Sequence, residues 1–192
     1  EIRAQIHAVT PYLEDRPRRI DSHSHYHMLP VVFDALMDVI QEENLSVSYI
    51  RIPEEYVKIY FSCRKELVQF LPIKLLKVLV LNLLAKRNKR KYRKFLESLE
   101  QSVFCGVMYS GRMCSQNMGV LLQEMEHLAK RCGKNLEVLA HPGGVYEQED
   151  IGLLTNEGDV AFLTSDLRQA EAEAFISLKS HTDGKSADDL CI

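Results

Sequence analysis

The chain has 192 residues, 46% hydrophobic and 27% charged, with a net charge of −3 and a pI near 6.2. That balance excludes a mainly disordered chain, a collagen-like repeat and a disulfide scaffold, and it offers no general attraction for nucleic acid. The five cysteines, Cys63, Cys105, Cys114, Cys132 and Cys191, are scattered without a Cys-x-x-Cys pair and fit a reduced, cytoplasmic protein.

Ile2, Ile6, Val9 and Leu13 recur at helical spacing and predict a helix over residues 2–13, with Pro17 beyond its end. Residue 1 is Glu, and the helical pattern begins at once, so the chain reads as lacking the N-terminal part of its domain. Arg18 to His25 predicts a strand that runs into a polar loop. Leu29-Pro30 opens a helix whose apolar face is Val32, Leu36, Val39 and Ile40, with Asn44 as its stop. Val47 to Ile52 alternates as a strand and ends at Pro53.

Residues 54–101 break this rhythm with a short helix and a long helical stretch from Ile73 to Leu99, apolar in its first half and basic in its second. We read this as a helical insertion. Its apolar part, Leu67 to Ala85, is interrupted by Pro72, Lys74 and Lys77, which argues against a membrane span of about 20 apolar residues. Ser102 to Tyr109 returns to strand character. Ser115 is placed as the cap of a helix with apolar face Met118, Leu121, Leu122, Met125, Leu128 and Cys132, stopped by Gly133. Leu136 to Ala140 reads as a short buried strand that ends at His141-Pro142-Gly143-Gly144, and a last helix covers Asp166 to Leu178. Strand and helix alternate, so the fold class is α/β with parallel strands. One domain is expected over residues 1–178, with the insertion at about 54–101 and a flexible tail over 179–192.

The strongest chemical signal is Asp21-Ser22-His23-Ser24-His25-Tyr26-His27. In extended chain, residues 21, 23, 25 and 27 lie on one side, and a carboxylate with imidazoles there would chelate a divalent metal. A His-rich surface loop is the plainer account. His141, at the top of a strand, is placed to act as a general acid or to stabilise developing negative charge. Arg51 would bind an anionic or hydroxyl-rich substrate at the same rim, and a salt bridge to Glu54 or Glu55 would explain it equally well. Residues 86–94 hold seven of the 24 basic residues and no acid. The insertion is expected to be a lid or a homodimer contact. A membrane surface and an acidic partner are its other readings. Nucleic acid is not expected, since Tyr92 and Phe95 are the only aromatics there and the remaining surface is acidic.

Together these segments resemble the YdjC-like carbohydrate deacetylases, a family that includes chitooligosaccharide deacetylases. The resemblance rests on Ile20-Asp21-Ser22-His23-Ser24-His25-Tyr26-His27-Met28-Leu29-Pro30, then Arg51-Ile52-Pro53 and His141-Pro142-Gly143. Leu167-Arg168 with Glu171 or Glu173 resembles the family's closing helix. The resemblance implies a (β/α) barrel-like fold, incomplete here at its N-terminus, and one divalent metal ion, Mg or Zn. It implies hydrolysis of an N-acetyl group on an acetylated amino sugar. His23 would be a metal ligand by motif position, with His25 beside it. His141 and Asp21 would be catalytic, and His27 and Arg51 would contact substrate. The family's Asp-Asp-Phe-Gly and His-x-Asn type segments, which supply the catalytic aspartate and further ligands, are not found here, so this chain alone is expected to be inactive. A metal phosphoesterase or amidohydrolase using the same histidines, and a non-catalytic binding module, are the competing readings.

Overall fold

The computed structural model describes residues 1–13, 16–67, 70–143, 152 and 156–182. Helix α1 (Ile2–Val9) continues into a 3-10 turn at Thr10–Tyr12 and leads to strand β1 (Arg18–Ile20). A 3-10 turn at His23–Met28 precedes α2 (Pro30–Glu42) and β2 (Val47–Ile50). The stretch expected to be an insertion follows as α3 (Val57–Ser62), α4 (Pro72–Lys91) and α5 (Arg93–Glu97). Then come β3 (Ser102–Cys105), α6 (Ser115–Cys132), β4 (Asn135–Val138), α7 (Glu157–Leu163) and α8 (Asp166–Thr182).

The expected strand–helix alternation is present, and both strand pairings are parallel: β1 with β2, and β3 with β4. Each crossover runs through a helix, α2 and α6 respectively, as a parallel pair requires. The two pairs approach each other where the Glu100 amide donates to the Ser48 carbonyl at 2.9 Å. A closed barrel is not shown by the described residues, which form two parallel pairs and the helices around them.

The helices bury the faces their periodicity dictates. Pro30 occupies the first turn of α2, where its missing N–H costs nothing, and Phe33, Leu36, Met37 and Ile40 join the core. Met118, Leu121, Met125 and Ala129 do the same for α6, which ends at Gly133 in the left-handed region. Several bounds differ from the sequence expectation. The strand expected over Arg18 to His25 stops at Ile20. The strand expected to reach Tyr109 stops at Cys105, because Gly106 turns the chain at φ +126°, and a Cβ there would strike the Leu139 carbonyl. Ser115 is the first residue of α6 and Cys114 stands at the cap position. The long insertion helix breaks at Tyr92, and α7 had no counterpart in the sequence reading. Gly144, and the tail from residue 183 onward, lie outside the described residues.

The basic half of the insertion is pinned to the rest of the fold. Arg87 donates two bonds to the Asp34 carboxylate on α2, at 2.7 and 2.6 Å, and the Tyr92 hydroxyl donates to it at 2.8 Å. Lys89 pairs with Glu54 at 2.6 Å and Lys91 with Asp34 at 3.0 Å. Asn88 is fully buried and donates to the Met28 carbonyl at 3.0 Å, which fastens α4 to the end of the His segment. Asn82 exchanges bonds of 2.9 Å with the Glu55 backbone amide and carbonyl. Three of the seven basic residues of the block therefore dock the protein on itself. Asn88→Ala leaves the Met28 carbonyl buried without its donor, and we expect a loss of about 1–3 kcal/mol in urea unfolding.

Candidate functional site

Parallel strands bring their carboxyl ends to one edge, and the chemistry-bearing residues follow those ends. The segment after β1 does not stay extended. Ser24 and His25 both take left-handed backbone, at φ 51° and 63°, which is costly for residues with a Cβ and recurs at functional sites. The expected alternation of Asp21, His23, His25 and His27 on one side is therefore lost. His23 is exposed, whereas His25 and His27 are buried.

The three imidazoles have different environments. His27 has both ring nitrogens engaged: Nε2 donates to the Arg51 carbonyl at 2.7 Å, and Nδ1 accepts from the Ser22 hydroxyl at 2.7 Å. The His27 amide also donates to the Ser22 hydroxyl at 2.9 Å, so the pair braces the turn against β2. His25 is 5% exposed and packs edge-on against Phe104 of β3 at 5.8 Å between ring centroids. Its Nδ1 is buried with no hydrogen-bond partner among the described residues. Burial pushes its imidazole down to about 4, opposed by the Asp21 carboxylate, so it is neutral near pH 7.

Arg51 joins four strands' worth of polar groups. It pairs with Asp21 after β1, and its Nε donates to Glu137 of β4 at 2.5 Å. Glu137 also accepts from the Tyr49 hydroxyl of β2 and, at 3.3 Å, from Ser102 of β3. The partners expected for Arg51, Glu54 and Glu55, are not the ones it takes. Glu137 was missed by the sequence reading. Its signal is slight, a single carboxylate between Leu136 and Val138.

His141 follows β4 and is half-buried, which lowers its imidazole from the ordinary value. Its Nδ1 lies 3.5 Å from the Ser110 hydroxyl, and its ring packs edge-on against Phe162 of α7 at 5.7 Å. Its backbone is held from α8: the Arg168 Nε donates to the His141 carbonyl at 3.1 Å, and the fully buried Glu171 accepts from the His141 amide. Glu171 also accepts from the Met113 amide at 2.9 Å. A second buried carboxylate, Glu55, accepts from the Val107 and Met108 amides at 2.6 and 3.1 Å. Burial pushes Glu55 up to about 7, and these amide donors oppose it.

The fit to a metal is partial. His25 presents an orphaned buried nitrogen, the kind of atom a ligand would satisfy. Yet among the described residues no three His, Cys, Asp or Glu side chains converge as metal ligands. Asp21 is already committed to Arg51 and His27 to its two hydrogen bonds. The residues described here do not form a complete ion site by themselves.

The family model for YdjC-like proteins matches residues 1–183, nearly the whole chain. The chain belongs to the YdjC-like family. Its members are generally carbohydrate-deacetylase-like hydrolases. No curated protein and no solved structure matches this YdjC-like chain. The four cysteines among the described residues are free, and no described helix is long and apolar enough to cross a membrane.

Glu55 supplies a test of the site's scaffold. The unfolded chain releases the Glu55 proton near pH 4.5, whereas the folded protein holds it to about 7. Folding therefore takes up a proton between these values, and this contribution to stability falls as pH rises through the window. In Glu55→Gln that titration is gone. The unfolding free energy of the variant relative to its parent should shift in the variant's favour by up to ~3 kcal/mol between about pH 4.5 and 8, read by urea titration.

Proposed function

We propose that this YdjC-like protein is a metal-dependent hydrolase that removes an N-acetyl group from an acetylated amino sugar, such as a chitooligosaccharide. The observation that carries this reading is the strained turn after β1. It buries an unpartnered, neutral His25 at the same strand edge as Arg51 and His141. A divalent ion, Mg or Zn, would polarise the acetyl carbonyl when bound. His23 and His25 are our proposed contribution to its ligands, and further donors must join them.

In this proposal the chain's own residues divide the remaining work. Arg51, held between Asp21 and Glu137, fixes the rim of the β1 and β2 ends and orients a hydroxyl-rich substrate. His27 braces that rim through Ser22 and the Arg51 carbonyl. His141 is placed to assist departure of the sugar amine; burial lowers its imidazole from the ordinary value, so it must first take up a proton before it can give one to the amine. Asp21 is the proposed proton acceptor of the segment, with its carboxylate paired to Arg51.

The test is acetate release from N-acetylated chitooligosaccharides by the full-length gene product with added Mg or Zn. His141→Ala should lower kcat by about 10²–10⁴-fold, in keeping with the loss of a general acid. Phosphate release from monoesters without acetate release would overturn the reading in favour of a phosphoesterase. Residues 1–192 alone should bind the ion weakly, and equilibrium dialysis showing tight binding that survives His23→Ala would overturn the ligand assignment.

A further inference from the structure

One side of α4 is left without a partner among the described residues. Ile73, Leu76, Leu79, Val80 and Leu83 are between 46% and 66% exposed. Ile73, Leu76, Val80 and Leu83 follow one another at three- and four-residue steps and so form a single stripe along the helix. With Leu79 they make up five of the sixteen exposed large apolar side chains described, all on this one helix. An apolar concentration of this kind on one element marks a contact surface.

The charges beside the stripe narrow the choice of occupant. Helix α4 contains seven lysines and arginines and no acidic residue. Arg87, Lys89 and Lys91 are spent on Asp34 and Glu54. Lys77 borders the stripe on one side, Lys86 and Arg90 on the other, and these three have no carboxylate within ion-pair distance among the described residues. A two-fold related copy would bring the same acid-free, positive face against itself.

We propose that this face of α4 docks on an anionic lipid surface. The apolar stripe enters the headgroup–acyl boundary, and Lys77, Lys86 and Arg90 extend to the phosphates. The helix lies on the surface, since it is not apolar enough to span it. It is already folded for this purpose: Val78, Leu81 and Ala85 are buried on its inner side, and Asn88 and Arg87 fasten it to the rest of the protein. Lys77 also lies within electrostatic range of both His25 and His141, so docking brings the rim of the candidate site to the lipid. This proposal stands independently of the hydrolase reading.

Co-sedimentation with lipid vesicles tests it. The protein should bind phosphatidylcholine vesicles containing about a third phosphatidylglycerol, bind pure phosphatidylcholine much less, and lose binding as salt rises. The charge variant Lys77→Glu with Lys86→Glu and Arg90→Glu should bind roughly tenfold or more weakly. The apolar variant Leu76→Ser with Val80→Ser and Leu83→Ser should lose binding comparably, each keeping the parent's circular dichroism because the residues are exposed. Absence of binding to the anionic vesicles, or binding unchanged in both variants, overturns the proposal. So does a solution dimer that the apolar variant converts to monomer without any vesicle binding, which would assign the face to a second copy. Capture by an acidic peptide with no vesicle binding would assign it to a protein and overturn it equally.

Discussion

The loops beyond β3 carry backbone amides that no strand or helix satisfies, and two buried glutamates supply the acceptors. Glu55, from the start of the insertion, takes the amides of Val107 and Met108. Glu171, from α8, takes those of Met113 and His141. An unpaired buried amide costs about as much as a lost hydrogen bond, so neither carboxylate is dispensable to the loop it holds. The consequence reaches beyond stability. Glu171 fixes the backbone at His141, and Glu55 joins the insertion to the loop that follows Gly106. The strand ends thus have defined positions although each strand is only three or four residues long.

A second polar device works between the two strand pairs. Backbone pairing links β1 to β2 and β3 to β4, and little backbone hydrogen bonding crosses between the pairs. Arg51 and Tyr49 cross that gap with their side chains, meeting Glu137 and Ser102. A guanidinium suits the task because its fork can serve Asp21 and Glu137 at once, where a lysine would offer one point charge. The same arrangement leaves His25 as the buried imidazole with an uncommitted nitrogen, in a turn whose backbone is already strained. Strain at this turn is tolerated because Ser22, His27 and the Met28 carbonyl are each held by hydrogen bonds.

The insertion has two unlike sides. Its inner side belongs to the fold, through Asn82, Arg87, Asn88 and Lys89 and their partners. Its outer side keeps aliphatic residues in water, next to cations that have no ion-pair carboxylate among the described residues. The sequence reading treated the basic stretch as one feature, but tertiary contacts divide it residue by residue. Charges that face α2 become structural, and those around the stripe remain at the surface.

Local pattern was enough to establish most of the helices, though not α7 or the break at Tyr92, the alternation that makes the strands parallel, the placing of the His segment and His141 at strand ends, and the family. Those features depend on side-chain period, on proline and glycine at element ends and on contiguous motifs, which a single chain displays directly. What histidine does in its place was not legible. The period-2 reading of Asp21 to His27 holds only while the backbone is extended, and the left-handed pair Ser24 and His25 breaks it. The partners that matter are also remote: Arg51 meets Glu137 across 86 positions and Glu55 meets Val107 across 52. Such pairings are chosen by which strand ends become neighbours and which buried amides need an acceptor, and only the tertiary structure decides those.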